Sequence, residues 1–207
     1  MAKINVEKAE GKLGILVVGV GGAVASTFIA GTLMARKGLG VPVGSITQLS
    51  TIKLSDGSTP KIKDVLPIAK LDDIVFGGWD IFEDNVYKAA THAAVLTQKD
   101  LDSVKDELEA IKPMQAAFDN KYVTRLHGTW VKKADTKWDL KDQLVADIKN
   151  FKEANGCSRV VVIWSASTEV YVPMAEVHKS LPAFQEAMKN NAAEVSPSML
   201  YAYAAIE

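Results

Sequence analysis

The sequence predicts an α/β fold, a mostly parallel sheet with helices on both faces. Three observations carry that expectation. Apolar, β-branched runs occur at Leu13–Val18, Leu71–Phe76 and Arg159–Trp164. Helical patterns with one apolar stripe separate them. Each run ends in glycines or small polar residues, at 19–24, 77–81 and 165–169. In parallel sheets, ligands bind beyond the carboxyl ends of the strands, so these three loops form the candidate site.

Taken in order, residues 1–11 read as a flexible lead-in. Leu13–Val18 is too continuously apolar for a half-exposed strand and fits an inner strand, buried on both faces. Gly19-Val20-Gly21-Gly22 makes a tight turn into a helix over Ala23–Arg36, closed by Lys37-Gly38. Gly38–Pro67 carries Gly, Pro, Ser and Asp at short intervals and predicts irregular structure, with a short strand at Gln48–Leu54. Leu71–Phe76 runs into Gly77-Gly78-Trp79-Asp80, an apolar strand giving way to glycines and a polar loop. Asn85–Leu96 reads as a helix. Thr97 with Asp100 forms a capping box that opens a charged helix over Lys99–Ile111, and Pro113 ends it.

Residues 113–138 have mixed character and include the basic, aromatic Trp130-Val-Lys132-Lys133, which reads as a solvated patch. A helix starting at Asp139 or a neighbour places Leu140, Leu144, Ile148 and Phe151 on one stripe and ends at Asn155-Gly156. Arg159–Trp164 reads as a third strongly buried strand. Two helices follow, at Ala183–Asn190 and from the cap Ser196-Pro197 to Ile206.

Bulk composition excludes several classes. The 207 residues are 48% hydrophobic and 24% charged, as in ordinary globular proteins. Lys and Arg total 24 against 25 Asp and Glu, which is no footprint for nucleic acid. The single cysteine, Cys157, rules out an intrachain disulfide and suits a reducing cytosol. The N-terminus has no apolar signal core, and Leu13–Val24 is too short and glycine-broken to span a membrane. These points predict a cytoplasmic protein with neither nucleic-acid nor membrane partners. His92, His127 and His178 stand in no metal-ligand pattern, and the chain has neither a phosphate-loop lysine nor a nucleophile-elbow serine.

The glycine turn is the strongest chemical signal. Glycines let the backbone bend sharply, and the free amides opening a helix favour an anion. A dinucleotide pyrophosphate is the usual anion there, although the third glycine of the common fingerprint is missing and position 25 is alanine. No acid lies between Gly19 and Leu54 to take the adenosine ribose, so Asp80 is the candidate, with a turn aspartate capping the next helix as the alternative. Ser165, Ser167 and Thr168 offer hydroxyls beside the small Ala166. They either line a ligand or satisfy loop backbone groups.

The blocks Leu13-Gly-Ile-Leu-Val-Val-Gly19-Val-Gly21-Gly22-Ala-Val-Ala25-Ser26-Thr27, Gly77-Gly78-Trp79-Asp80-Ile81 and Val162-Ile163-Trp164-Ser165-Ala166-Ser167-Thr168-Glu169 resemble the inositol-phosphate synthases, as does Ser196-Pro197-Ser198. The resemblance implies a Rossmann-like NAD-binding domain over residues 1–207, the N-terminal portion of a longer cytoplasmic enzyme of inositol and phospholipid synthesis. That family converts glucose 6-phosphate to inositol phosphate by oxidation, enolisation, aldol closure and reduction, with tightly bound NAD, as a homotetramer. By position, Gly19, Gly21, Gly22, Ala23 and Val24 would hold the pyrophosphate. Asp80 would take the ribose, and Ser165, Ala166, Ser167 and Thr168 would line the cofactor cleft. The family often has asparagines where this chain has Ala23, Val24 and Ser167. Its catalytic lysines, phosphate site and oligomerisation sheet lie beyond Glu207, so the resemblance names no catalytic residue here. It implies a chain that binds NAD weakly or not at all by itself and does not turn over glucose 6-phosphate. Two other readings stay open from the residues alone, a fragment of another NAD-dependent oxidoreductase and a module that senses the dinucleotide without chemistry.

Overall fold

In the computed structural model, which describes residues 10–207, the first apolar run is the strand β1, Lys12–Val18. Its glycine turn leads into helix α1, Ala23–Arg36. Two four-residue helices, α2 (Ile46–Leu49) and α3 (Ile62–Val65), follow in a surface excursion. Strand β2, Ile74–Asp80, returns to the sheet. Helices α4 (Val86–Ala93), α5 (Gln98–Asp102) and α6 (Lys105–Ala110) lead to a two-residue strand, β3, Met114–Gln115. Helix α7, Lys137–Ala154, then carries the chain to β4, Cys157–Trp164. Helices α8 (Leu181–Lys189) and α9 (Pro197–Ile206) complete the described residues.

The sheet order is β3-β2-β1-β4, with every pairing parallel. The chain steps outward from β1 to β3 and then crosses back to β4. The carboxyl ends of β1 and β4 therefore face a point where the strand order reverses, the place where such sheets open a crevice. Alternate residues of β1 enter different cores, because side chains alternate across a strand. Val17, with Ile15 and Phe76, packs beneath Ile29, Ala30 and Leu33 of α1 and Leu101 and Leu108. Leu16 and Val18 pack against Leu144 of α7 and Leu200 and Tyr201 of α9. Leu16 and Val17 are both fully buried, and each such side chain contributes about 1.5–3 kcal/mol.

Helix starts follow their caps. Asn85 accepts from the Lys88 amide at 3.0 Å. Thr97 with Asp100, and Thr136 with Asp139, form reciprocal capping boxes that satisfy two amides each.

Several expectations need correction. The Gly38–Pro67 excursion has no strand at Gln48–Leu54, only an isolated antiparallel bridge between Thr51 and Lys61. None of its residues is buried, so a period-2 pattern has no core face to serve. The helix expected over Lys99–Ile111 breaks at Ser103-Val104, where Ser103 Oγ donates to the Asp100 carbonyl at 2.6 Å and Val104 turns wholly into the core. Helix α4 stops at Ala93 rather than Leu96, because Ala94 takes a left-handed conformation. Gly77 and Gly78 lie inside β2 rather than after it.

β4 is a strand, but it is not buried on both faces. Val161 is 47% and Ile163 38% exposed. Among the described residues only β1 pairs with β4, and α7 and α9 cover one face of it. β3 was not expected at all. The lead-in expected over 1–11 lies outside the described residues, Glu10 and Gly11 excepted.

Candidate dinucleotide site

The turn after β1 spends most of its own amides. Gly19, at φ +83°, adopts the left-handed conformation that only glycine takes freely. The Gly19 and Val20 amides donate to the Trp79 carbonyl at 2.8 and 3.1 Å, and Gly22 donates to the Gly19 carbonyl at 3.0 Å. The Gly21 amide donates to Asp80 Oδ2 at 2.9 Å. What remains open is the mouth of α1. Among the described residues, the amides of Ala23 and Val24 have no protein acceptor, no side chain caps the helix, and Ala25 behind them is fully buried. The unspent donors therefore lie just after the glycines that shape the turn.

Asp80 ends β2 and is almost wholly buried. Its carboxylate also accepts from the Phe82 amide at 3.2 Å. Burial pushes its proton affinity above the ordinary carboxylate range, and the amides of Gly21, Phe82 and Ile81 oppose that shift. Asp80 thus ties the strand end to the glycine turn while facing the same cavity.

The third loop closes the opposite wall. The Ser165 amide continues the ladder onto the Val18 carbonyl at 3.0 Å. Gly19 lacks a side chain for a packing reason too: a methyl placed on it would lie 2.9 Å from the Ala166 Cα. The hydroxyls of Ser165, Ser167 and Thr168 bond to no protein group among the described residues. The alternative in which they satisfy loop backbone groups is therefore not what the structure shows.

The loops enclose a cavity of about 690 Å³, within the usual range for small-molecule sites. Gly19, Gly21, Gly22, Ala23, Asp80, Ser165, Ala166 and Ser167 all line it. Val24 and Thr168 do not. Val24 is exposed and borders a shallow apolar dish with Thr27, Phe28 and Val95. Sequence reasoning missed the lobe beyond Ile81, formed by Phe82, Ala116, Ala117, Phe118 and Leu126. That segment has no periodicity to read, and its position depends on distant partners. The Ala117 amide, for example, donates to the Tyr201 hydroxyl at 2.8 Å. Exposed His92 borders the cavity. Among the described residues, no three His, Cys, Asp or Glu side chains gather to hold a metal ion. No described helix is long and apolar enough to cross a membrane.

A family model for an NAD-binding domain, described as myo-inositol-1-phosphate synthase, matches residues 13–207. The chain belongs to the myo-inositol-1-phosphate synthase family. It is 60% identical over 205 residues to inositol-3-phosphate synthase 1 of Bacteroides thetaiotaomicron, covering 99% of this chain and 48% of that protein. Isozyme 1 of inositol-3-phosphate synthase from Arabidopsis thaliana is 32% identical over 212 residues, covering 94% and 42%. The crystal structure of inositol-3-phosphate synthase from Caenorhabditis elegans superposes with a TM-score of 0.84 at 26% identity, covering 96% of this chain and 43% of that one. The chain thus spans about half the length of the curated synthases it matches. The α/β fold is the synthase fold, with the glycine turn of β1 in its NAD-binding portion.

Proposed function

We propose that residues 1–207 form one Rossmann-like domain that binds NAD in the cavity beyond β1 and β4, as the NAD-binding part of an inositol-3-phosphate synthase. The full enzyme would isomerise glucose 6-phosphate to inositol phosphate as a cytoplasmic homotetramer. When bound, NAD supplies a hydride acceptor that later returns the hydride. The chain's own residues bind and orient. Gly19, Gly21 and Gly22 shape the turn and keep it clear of side chains. The amides of Ala23 and Val24, at the open mouth of α1, hold the pyrophosphate. Asp80 accepts from the adenosine ribose on the β2 side, and Ser165, Ala166 and Ser167 form the β4 side. The adenine would occupy the apolar lobe of Phe82 and Ala117.

The observation that carries this reading is the set of unspent amides at the mouth of α1, in a chain of this family. With Ala at 23 and Val at 24, pyrophosphate recognition falls to the main chain, which Gly21→Val should block through crowding of Asp80. Calorimetric titration of NAD into the full-length enzyme tests it. Gly21→Val should weaken binding by about tenfold or more while circular dichroism stays unchanged. Unaltered affinity would remove the phosphate assignment. The 207-residue chain incubated with glucose 6-phosphate and NAD should form no inositol phosphate, and product formation would reverse that part of the reading.

A further inference from the structure

We infer that Glu169 is a positioning residue for the dinucleotide: its carboxylate ties the loop 165–168 to the N-terminus of α9 and so sets the direction of that loop's hydroxyls. The inference rests on the NAD reading above and assigns a role to a residue outside the expected set.

The contact is two-pronged. Ser198 donates its amide to Glu169 Oε1 at 2.9 Å and its hydroxyl to Oε2 at 2.6 Å. Ser196, the residue at the cap position, makes no cap bond of its own, and its hydroxyl lies 3.0 Å from that of Ser198. Pro197 has no amide to offer. Glu169 therefore caps α9 from another part of the chain, 29 residues away. A carboxylate is the favoured partner there, because the unpaired amides and the helix dipole are both positive.

Glu169 also has the right place to govern the loop. The Ser165 amide is pinned to Val18, and the Val170 amide donates to the Tyr122 carbonyl at 2.8 Å. Between those pins, Ser167 and Thr168 make no hydrogen bond among the described residues. The Glu169 carboxylate is the side-chain tie that remains. α9 is a firm anchor because Leu200, Tyr201 and Ala204 are buried in the core, and the Tyr201 ring meets Trp164 at the end of β4 with centroids 5.9 Å apart. The arrangement mirrors the other wall, where the Asp80 carboxylate ties β2 to the glycine turn. One acid thus fixes each side of the cleft, Asp80 by the adenosine and Glu169 by the far half.

That division supplies the test. NAD spans both walls, whereas AMP needs only the Asp80 wall. Titrations of NAD and of AMP into the full-length enzyme are compared for wild type, Glu169→Ala, Glu169→Gln and Ser198→Ala, with melting temperature followed in parallel. Glu169→Ala should weaken NAD about tenfold and leave AMP within about twofold. Glu169→Gln keeps an acceptor for the Ser198 amide and offers a donor to its hydroxyl, so it should restore NAD affinity to within about threefold of wild type. Ser198→Ala, which leaves the amide cap in place, should weaken NAD about threefold with AMP unchanged. It also carries the test if Glu169→Ala does not fold. A role limited to capping α9 would lower the melting temperature without moving either affinity, and that result overturns the inference. Equal losses for NAD and AMP, or tighter NAD binding once the charge is removed, overturn it as well. Wild type that binds AMP but not NAD would instead sink the NAD reading, and this inference with it.

Discussion

Gly21-Gly22 and Gly77-Gly78 look alike in the sequence, each pair following an apolar run and preceding a polar or helical segment. In the structure the first pair leaves room for a ligand and the second leaves room for the protein. Gly21 and Gly22 line the cavity at the mouth of α1. Gly77 lies in β2 under the Phe151 ring of α7, where an added methyl would come within 2.5 Å of that ring. Gly78 faces the opposite way, and a methyl there would overlap the Val17 carbonyl oxygen of β1. The missing side chains at 77 and 78 let a helix and a neighbouring strand approach β2 closely. A double glycine after a strand thus has two readings. Which one holds depends on whether the neighbouring density is solvent or backbone.

Substitutions break or sharpen this contrast. The largest effect is expected at Gly78→Ala, because the obstructing atom is backbone and cannot rotate away. It should cost about 3 kcal/mol or more, and urea unfolding should find little folded protein. Gly77→Ala meets a side chain instead and should cost about 1–3 kcal/mol, much of it recovered by Phe151→Leu in the same chain, which a double-mutant cycle would detect. Gly19→Ala should cost about 1–2 kcal/mol for the left-handed backbone, with a further loss from contact with the Ala166 backbone that Ala166→Gly should not relieve.

The smallest effect is a pH slope from Asp80. Burial raises its affinity for a proton in the folded state, so the folded chain binds more protons than the unfolded one above the ordinary carboxylate range. Stability should therefore fall as pH rises through the window between the unfolded and folded values, and be recovered below it. Asp80→Asn should flatten that part of the curve in denaturant melts across pH. A slope unchanged by the substitution would place its origin elsewhere.

Glycine at 77 and 78 also shows where sequence reading stopped. Locally the pair predicts the end of the strand and a loop, because a turn is the commonest local use of paired glycines. Nothing local announces that Phe151, 74 residues later, fills the space. Likewise β4 has the composition of an inner strand, and only its place at the margin of the described sheet exposes Val161 and Ile163. β3 is two residues long and carries no pattern, so it is defined by its pairing with Trp79 and Asp80 alone.

The sequence by itself determined the order of strands and helices, the capping box at Thr97, the sharp turn at Gly19 and the three loops that meet at one end of the sheet. These depend on interactions within a few residues, where propensity, periodicity and backbone sterics act directly. Only the tertiary structure decided which amides of the turn stay open, that Asp80 and Glu169 each hold a wall of the cleft, and which residues form the lobe beyond Ile81. Those features depend on groups far apart in the chain. Each amide can be spent once, and the fold determines which acceptor reaches it first.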